Sequence, residues 1–172
     1  MPNTSVKKKL LEADQSRLFS PDDVEHPIAK AAVAYWNSVR GARKFPARSD
    51  LSLRGMSRFI SYSLIVAVLE DGADYQYKFV GDIERQQFNR DFKGVCISDV
   101  EKMEPAFGRI LRKTYDGVRL TGAPMAVRGL VDHAPHDAWL PYHESVFLPL
   151  GATDEAVDHL LIVGVNIPRP EA

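Results

Sequence analysis

A single cysteine, Cys96, excludes a disulfide within the chain and any zinc site built from several thiolates. No apolar run approaches the roughly 20 residues that a bilayer-spanning helix needs. The opening MPNTSVKKKLLEADQS carries lysines with no apolar region after them, so it does not read as a signal peptide. A cytoplasmic, reduced setting is the expectation. Excess charge is lacking too: 22 Lys and Arg against 23 Asp and Glu leave −1. That balance argues against a nucleic-acid partner for the whole chain.

Catalytic signatures are equally scarce. In YKFVGDIERQQFNRDFKG (77–94) a strand-like run breaks at Gly81 and continues as helix-friendly polar residues. A dinucleotide fingerprint needs three spaced glycines and a P-loop ends in Gly-Lys-Ser/Thr. Here one glycine is followed by Asp82, whose carboxylate would repel phosphate. Asp91-Phe92-Lys93-Gly94 imitates a nucleotide-switch spacing without a partner loop elsewhere. No Gly-x-Ser-x-Gly elbow exists, and Cys96, between Val95 and Ile97, reads as a small buried hydrophobe. Catalytic residues are therefore expected to be none. His133, His136 and His143 are weak metal candidates, because Pro135, Trp139 and Pro141 make their segment a loop between strands.

What is present is ordinary globular material: 172 residues, 45% apolar and 26% charged, enough for one domain with a real core. Charge is divided unevenly. Residues 1–58 hold eleven Lys/Arg and six Asp/Glu, a net of +5, and the remainder a net of −6. The densest basic run spans 40–58. Within it Arg43, Lys44 and Arg48 are candidates for a partner surface, against the plainer reading of a solvated connector.

Hydrophobic spacing orders the rest. Residues 5–18 suggest a weak amphipathic helix, and SPDDVEHP (20–27) a capped turn. Ile28, Ala32, Tyr35, Trp36 and Val39 predict a firmer helix closed by Gly41. FISYSLIVAVLE, the Asp71-Gly72 turn signal, and alternating Tyr75, Tyr77 and Phe79 predict a β-hairpin. Short helices follow Gly81. Pro105 opens a longer one with Phe107, Ile110, Leu111, Thr114 and Val118 as its stripe, closed by Gly122. Three strands are predicted at 124–131, 142–150 and 157–167, the last central because it is the most apolar. Two groups of antiparallel strands around a helical insert imply an α+β domain with helices on one sheet face.

That order, with the Tyr35-Trp36 helix, Phe45-Pro46-Ala47-Arg48-Ser49-Asp50, Tyr77-Lys78-Phe79-Val80-Gly81, Arg90-Asp91-Phe92-Lys93-Gly94 and Phe147-Leu148-Pro149-Leu150, resembles a PAS domain. More narrowly, it resembles the short stand-alone PAS-like proteins of alphaproteobacteria, over about residues 26–168. Residues 1–25 would form a weakly helical N-terminal extension and 169–172 a tail. The resemblance implies a five-stranded antiparallel sheet in which the first, second and fifth strands are contiguous. It also implies helices over a small-molecule cavity or a plain core, and a helix before the first strand that crosses the sheet or mediates a homodimer. The cofactor is unknown. Cys96 lacks the Asn-Cys-Arg context of covalent flavin photosensors, and 105–122 holds no histidine of the kind that ligates haem.

A pocket is the expected site. Tyr77, Phe79, Phe88, Phe107, Ile110 and Leu111 should converge, with Met125, Val127 and Phe147 on the far wall. The competing reading is that the same residues pack a core, as aromatic stripes usually do. The function expected is a non-enzymatic sensory or regulatory module binding a small molecule or a signalling protein partner. A ligand-free adaptor built on 40–58 or on an exposed sheet face is the alternative, and a small cavity enzyme ranks last.

Overall fold

The computed structural model describes residues 17–130 and 142–167. Its centre is a six-stranded antiparallel sheet: β1 (Arg17–Phe19), β2 (Ser63–Leu69), β3 (Asp74–Val80), β4 (Met125–Leu130), β5 (Tyr142–Leu150) and β6 (His159–Asn166). The spatial order is β1-β4-β5-β6-β2-β3, so β2, β3 and β6 are contiguous and the very apolar β6 is interior. Among the described residues four α-helices accompany it: α1 (Pro27–Arg40), α2 (Asp82–Phe88), α3 (Ile97–Met103) and α4 (Pro105–Thr121). The coarse expectation of an α+β domain holds. None of the helices is long and apolar enough to cross a membrane, among the described residues.

Two details differ from expectation. A sixth strand exists, because 17–19 pairs with β4 (Leu18 opposite Val127) where the end of a weak helix was predicted. The rest of that extension, 1–16, lies outside the described residues. Helices also cover both faces. α2–α4 lie on one; on the other, α1 buries Ala29, Ala32, Val33 and Trp36 against Ile65, Val146, Leu148, Leu161 and Val163. Trp36 anchors it by donating Nε1–H to the Pro149 carbonyl at 2.8 Å. α1 therefore uses its apolar stripe on its own sheet.

α1 begins where Pro27 supplies a preset φ and His26 Nδ1 accepts the Ile28 N–H, and it ends at Gly41 with φ +55°. The β2–β3 hairpin is present. Its loop is wider than a two-residue turn: Glu70, Asp71 and Gly72 all take positive φ. Arg119 of α4 reaches over that loop to the Tyr75 hydroxyl (3.1 Å) and Asp71 (3.8 Å). One turn-pair earlier, Arg112 bridges Glu101 of α3 (2.7 Å) and Asp74 of β3 (3.4 Å). Two arginines seven apart thus lie on one side of α4 and bind it to the hairpin.

Candidate functional site

The helical face is built by β3, and β3 contains a register shift. Ile65 pairs with Phe79 but Val66 pairs with Tyr77, so Lys78 is an extra residue on that strand. A bulge reverses the alternation beyond it. Tyr75 and Tyr77 therefore face α3 and α4, while Phe79 faces the α1 layer. Strict alternation grouped Tyr77 with Phe79; the bulge separates them.

Beneath the helices lies a cavity of about 20 Å³ lined by Leu64, Tyr77, Phe92, Val100 and Phe107. That is room for about one water molecule. Two predicted pocket residues, Tyr77 and Phe107, line it. Leu111, Met125, Val127 and Phe147 pack into the same apolar cluster without lining this space. Ile110 is a correction, since it is 59% exposed: the buried stripe of α4 runs through Gly108, Tyr115 and Val118. The Phe88 side chain lies outside what is described.

Gly81 does turn the chain from β3 onto this face, for a steric reason. A Cβ there would stand 2.4 Å from the Ser61 carbonyl oxygen, so the backbones meet closely only because it is glycine. The turn packs α2 against Ile60–Tyr62 and aims Glu84 toward β5 and β6, where polar groups collect. Glu84 is 6% exposed, and its Oε1 lies 3.5 Å from where a Cβ on Gly164 would be. Ser145 Oγ is 3.1 Å from the same point and 2.8 Å from His143 Nδ1. Behind them the Tyr77 and Tyr115 hydroxyls meet at 3.1 Å.

Burial sets the protonation of this group. With no hydrogen bond or cation to offset it, desolvation raises the Glu84 carboxyl to about 7. Desolvation likewise lowers His143 to about 4 and lifts Tyr77 to about 12. Near neutral pH the histidine and both phenols are uncharged. A Ser–His contact invites a nucleophile reading, but a base held near 4 is too weak to take a serine proton at neutral pH.

Comparison with protein-family models, with curated proteins and with solved structures gives no match. The site's chemistry therefore rests on its own geometry.

The remaining candidates are dispersed. Arg43 is held inside the fold, donating to the Gly151 carbonyl at 2.8 Å and lying 3.4 Å from Asp50 and 3.6 Å from Asp154. Lys44 and Arg48 are exposed. His133 and His136 lie outside the described residues, and His143 is half-buried on β5 as Ser145's partner. Cys96 corrects the small-hydrophobe expectation: it is only partly buried, at the N-cap of α3. Desolvation, then the Asp74 and Asp99 carboxylates, push its thiol up, away from a reactive thiolate.

Sequence reasoning missed Glu84, Tyr115, His143 with Ser145 as a pair, and Glu144. One signal existed for Glu144. In Tyr142–Leu150 it shares an alternation face with Val146, Leu148 and Leu150, and a carboxylate on a buried face needs a built partner.

Proposed function

We propose that this chain is a PAS-like regulatory module without catalytic activity, working through the packing of α2–α4 on its sheet. The observation that carries the reading is strand order. The five strands β2–β6 run β3-β2-β6-β5-β4, with the helical insert between the second and third of them. The contiguity of β2, β3 and β6 is what the resemblance implies, and α1 crosses the opposite face as its flanking helix would. A cavity the size of one water favours regulation by repacking. A larger ligand would enter only as the helices move apart.

The test is native mass spectrometry of gently purified protein, with hydrogen exchange before and after an unfolding–refolding cycle that strips noncovalent ligands. A bound mass lost on refolding, with faster exchange across 82–121 afterwards, supports small-molecule sensing. A mass equal to the chain alone with unchanged exchange removes it. A second reading, a partner-binding adaptor, draws on the exposed Lys44, Arg48, Arg54 and Arg58 beside the exposed Leu53, on a segment pinned by buried Phe45, Met56 and Phe59. Reversing Lys44 and Arg48 tests it; Arg43 does not, because its loss would loosen the fold.

A further inference from the structure

Helix α2 is seven residues long, and Glu84 is the one buried side chain among those described on it. So short a helix has almost no stability of its own and depends on what its inner face touches. That face presents a carboxyl group to Gly164 and Ser145 and, among the described residues, receives no hydrogen bond and no ion pair there.

Among the described residues, no element around it places a countercharge on this carboxyl. β3 contributes the Tyr77 phenol, α4 the Tyr115 phenol, β5 His143 and Ser145, β6 only Gly164, and the Ile60–Tyr62 turn, against which α2 also packs, no ion-pairing side chain. The neighbouring Arg85 turns away, to Asp82 (3.3 Å) and the Val80 carbonyl (3.3 Å). A neutral carboxylic acid is tolerable in such a place, whereas an unpaired carboxylate is not. Ionisation can be relieved with the sheet intact by α2 lifting to let more water reach Glu84.

We propose that Glu84 is a proton-operated latch: as the neutral acid it lets α2 lie on the sheet, and its ionisation releases α2 and uncovers the helical face beside Tyr77. The midpoint of about 7 for this carboxyl puts the release in the neutral range. Gly81 is the hinge, being the residue at which α2 leaves β3. The latch does not depend on the PAS-like reading, which bears only on what the uncovered face would do.

Hydrogen exchange on the full chain from pH 5.5 to 8.5, corrected for the intrinsic pH dependence of exchange, tests it. Exchange across 82–90 should rise about tenfold per pH unit as pH climbs toward about 7 and level off beyond it, while β6 stays constant. Glu84→Gln should abolish that pH dependence, and Glu84→Met serves the same purpose if the amide variant folds poorly. Carbon-detected NMR titration of the Glu84 carboxyl should follow the same midpoint. A carboxyl titrating near the ordinary 4.5, or corrected exchange across 82–90 that ignores pH, overturns the proposal.

Discussion

Among the described residues two glutamates are buried, one on each face of the sheet, and they are opposites. Glu144, fully buried under α1, accepts N–H groups from Glu25 (3.1 Å) and His26 (2.9 Å) and is gripped by Arg128. Burial pushes its carboxyl up, but those hydrogen bonds together outweigh it and hold Glu144 below the usual carboxylate range. Glu84, on the inner face of α2, has none of these partners and is pushed up to about 7. The same side chain is a fixed charge that ties down the start of α1 in one place and a titrating group in the other. What differs is the supply of donors. The N-terminal end of a 14-residue helix offers free N–H groups and a favourable dipole; a sheet centre floored by glycine offers neither.

Breaking the satisfied glutamate should have the largest effect. Glu144→Ala removes the buried carboxylate that Arg128 grips, though Glu25 stays 3.7 Å from it, and leaves two N–H groups without their acceptor; it also loosens β1, whose Phe19 ring lies 4.7 Å from the Arg128 guanidinium. A loss of about 3–5 kcal/mol in urea unfolding is expected. A loss under 1 kcal/mol would mean that the cluster is not what holds α1.

Next comes pH. Glu84's raised value contributes stability that is complete below 4.5 and lost as pH climbs through about 7, worth about 3 kcal/mol. His143's lowered value contributes stability that is complete above 6.5 and lost as pH falls through about 4, again about 3 kcal/mol. Between pH 4.5 and 6.5 the two slopes oppose each other, so the native protein should show a nearly flat contribution there. His143→Asn should expose a fall with rising pH, and Glu84→Gln a rise. Parallel profiles in the two variants would refute the assignment.

These polar features were the least legible part of the chain. Alternation and turn chemistry marked the hairpin, β4–β6 and the capped helices, because apolar periodicity follows which face is buried. They could not reveal the bulge at Lys78, which depends on how β3 meets β2, and so Phe79 was grouped with Tyr77. Nor could they find Glu84. In DIERQQF a glutamate looks like any exposed helix residue, and only the turn forced by Gly81 aims it at the sheet. The candidate cavity was legible in Tyr77 and Phe107, while its small size follows from how Leu64, Phe92 and Val100 close around them.

The tyrosine pair sharpens the contrast at smaller scale. Tyr77 and Tyr115 satisfy each other's hydroxyls inside the helical layer. Tyr115→Phe should cost about 1–3 kcal/mol because it strands the Tyr77 hydroxyl, whereas Tyr77→Phe with Tyr115→Phe together should recover most of that loss. A double variant that costs the sum of the singles would show that the hydroxyls act separately.

The smallest effect is expected at Ile110, and it decides which stripe of α4 faces inward. A helix read from Phe107, Ile110, Leu111, Thr114 and Val118 would bury Ile110; the structure rotates the helix so that Gly108, Tyr115 and Val118 lie innermost. The cause is local. A Cβ at 108 would meet the Glu101 backbone at 2.6 Å, so α4 can sit tightly on α3 only with Gly108 at the contact, and this turns Ile110 outward. Ile110→Ser should therefore change stability by no more than about 0.5 kcal/mol. Gly108→Ala, an apparently helix-favouring change, should destabilise by prying α3 from α4. If Ile110→Ser proved the costlier of the two, the helix would be rotated the other way, and Tyr115 could not reach Tyr77.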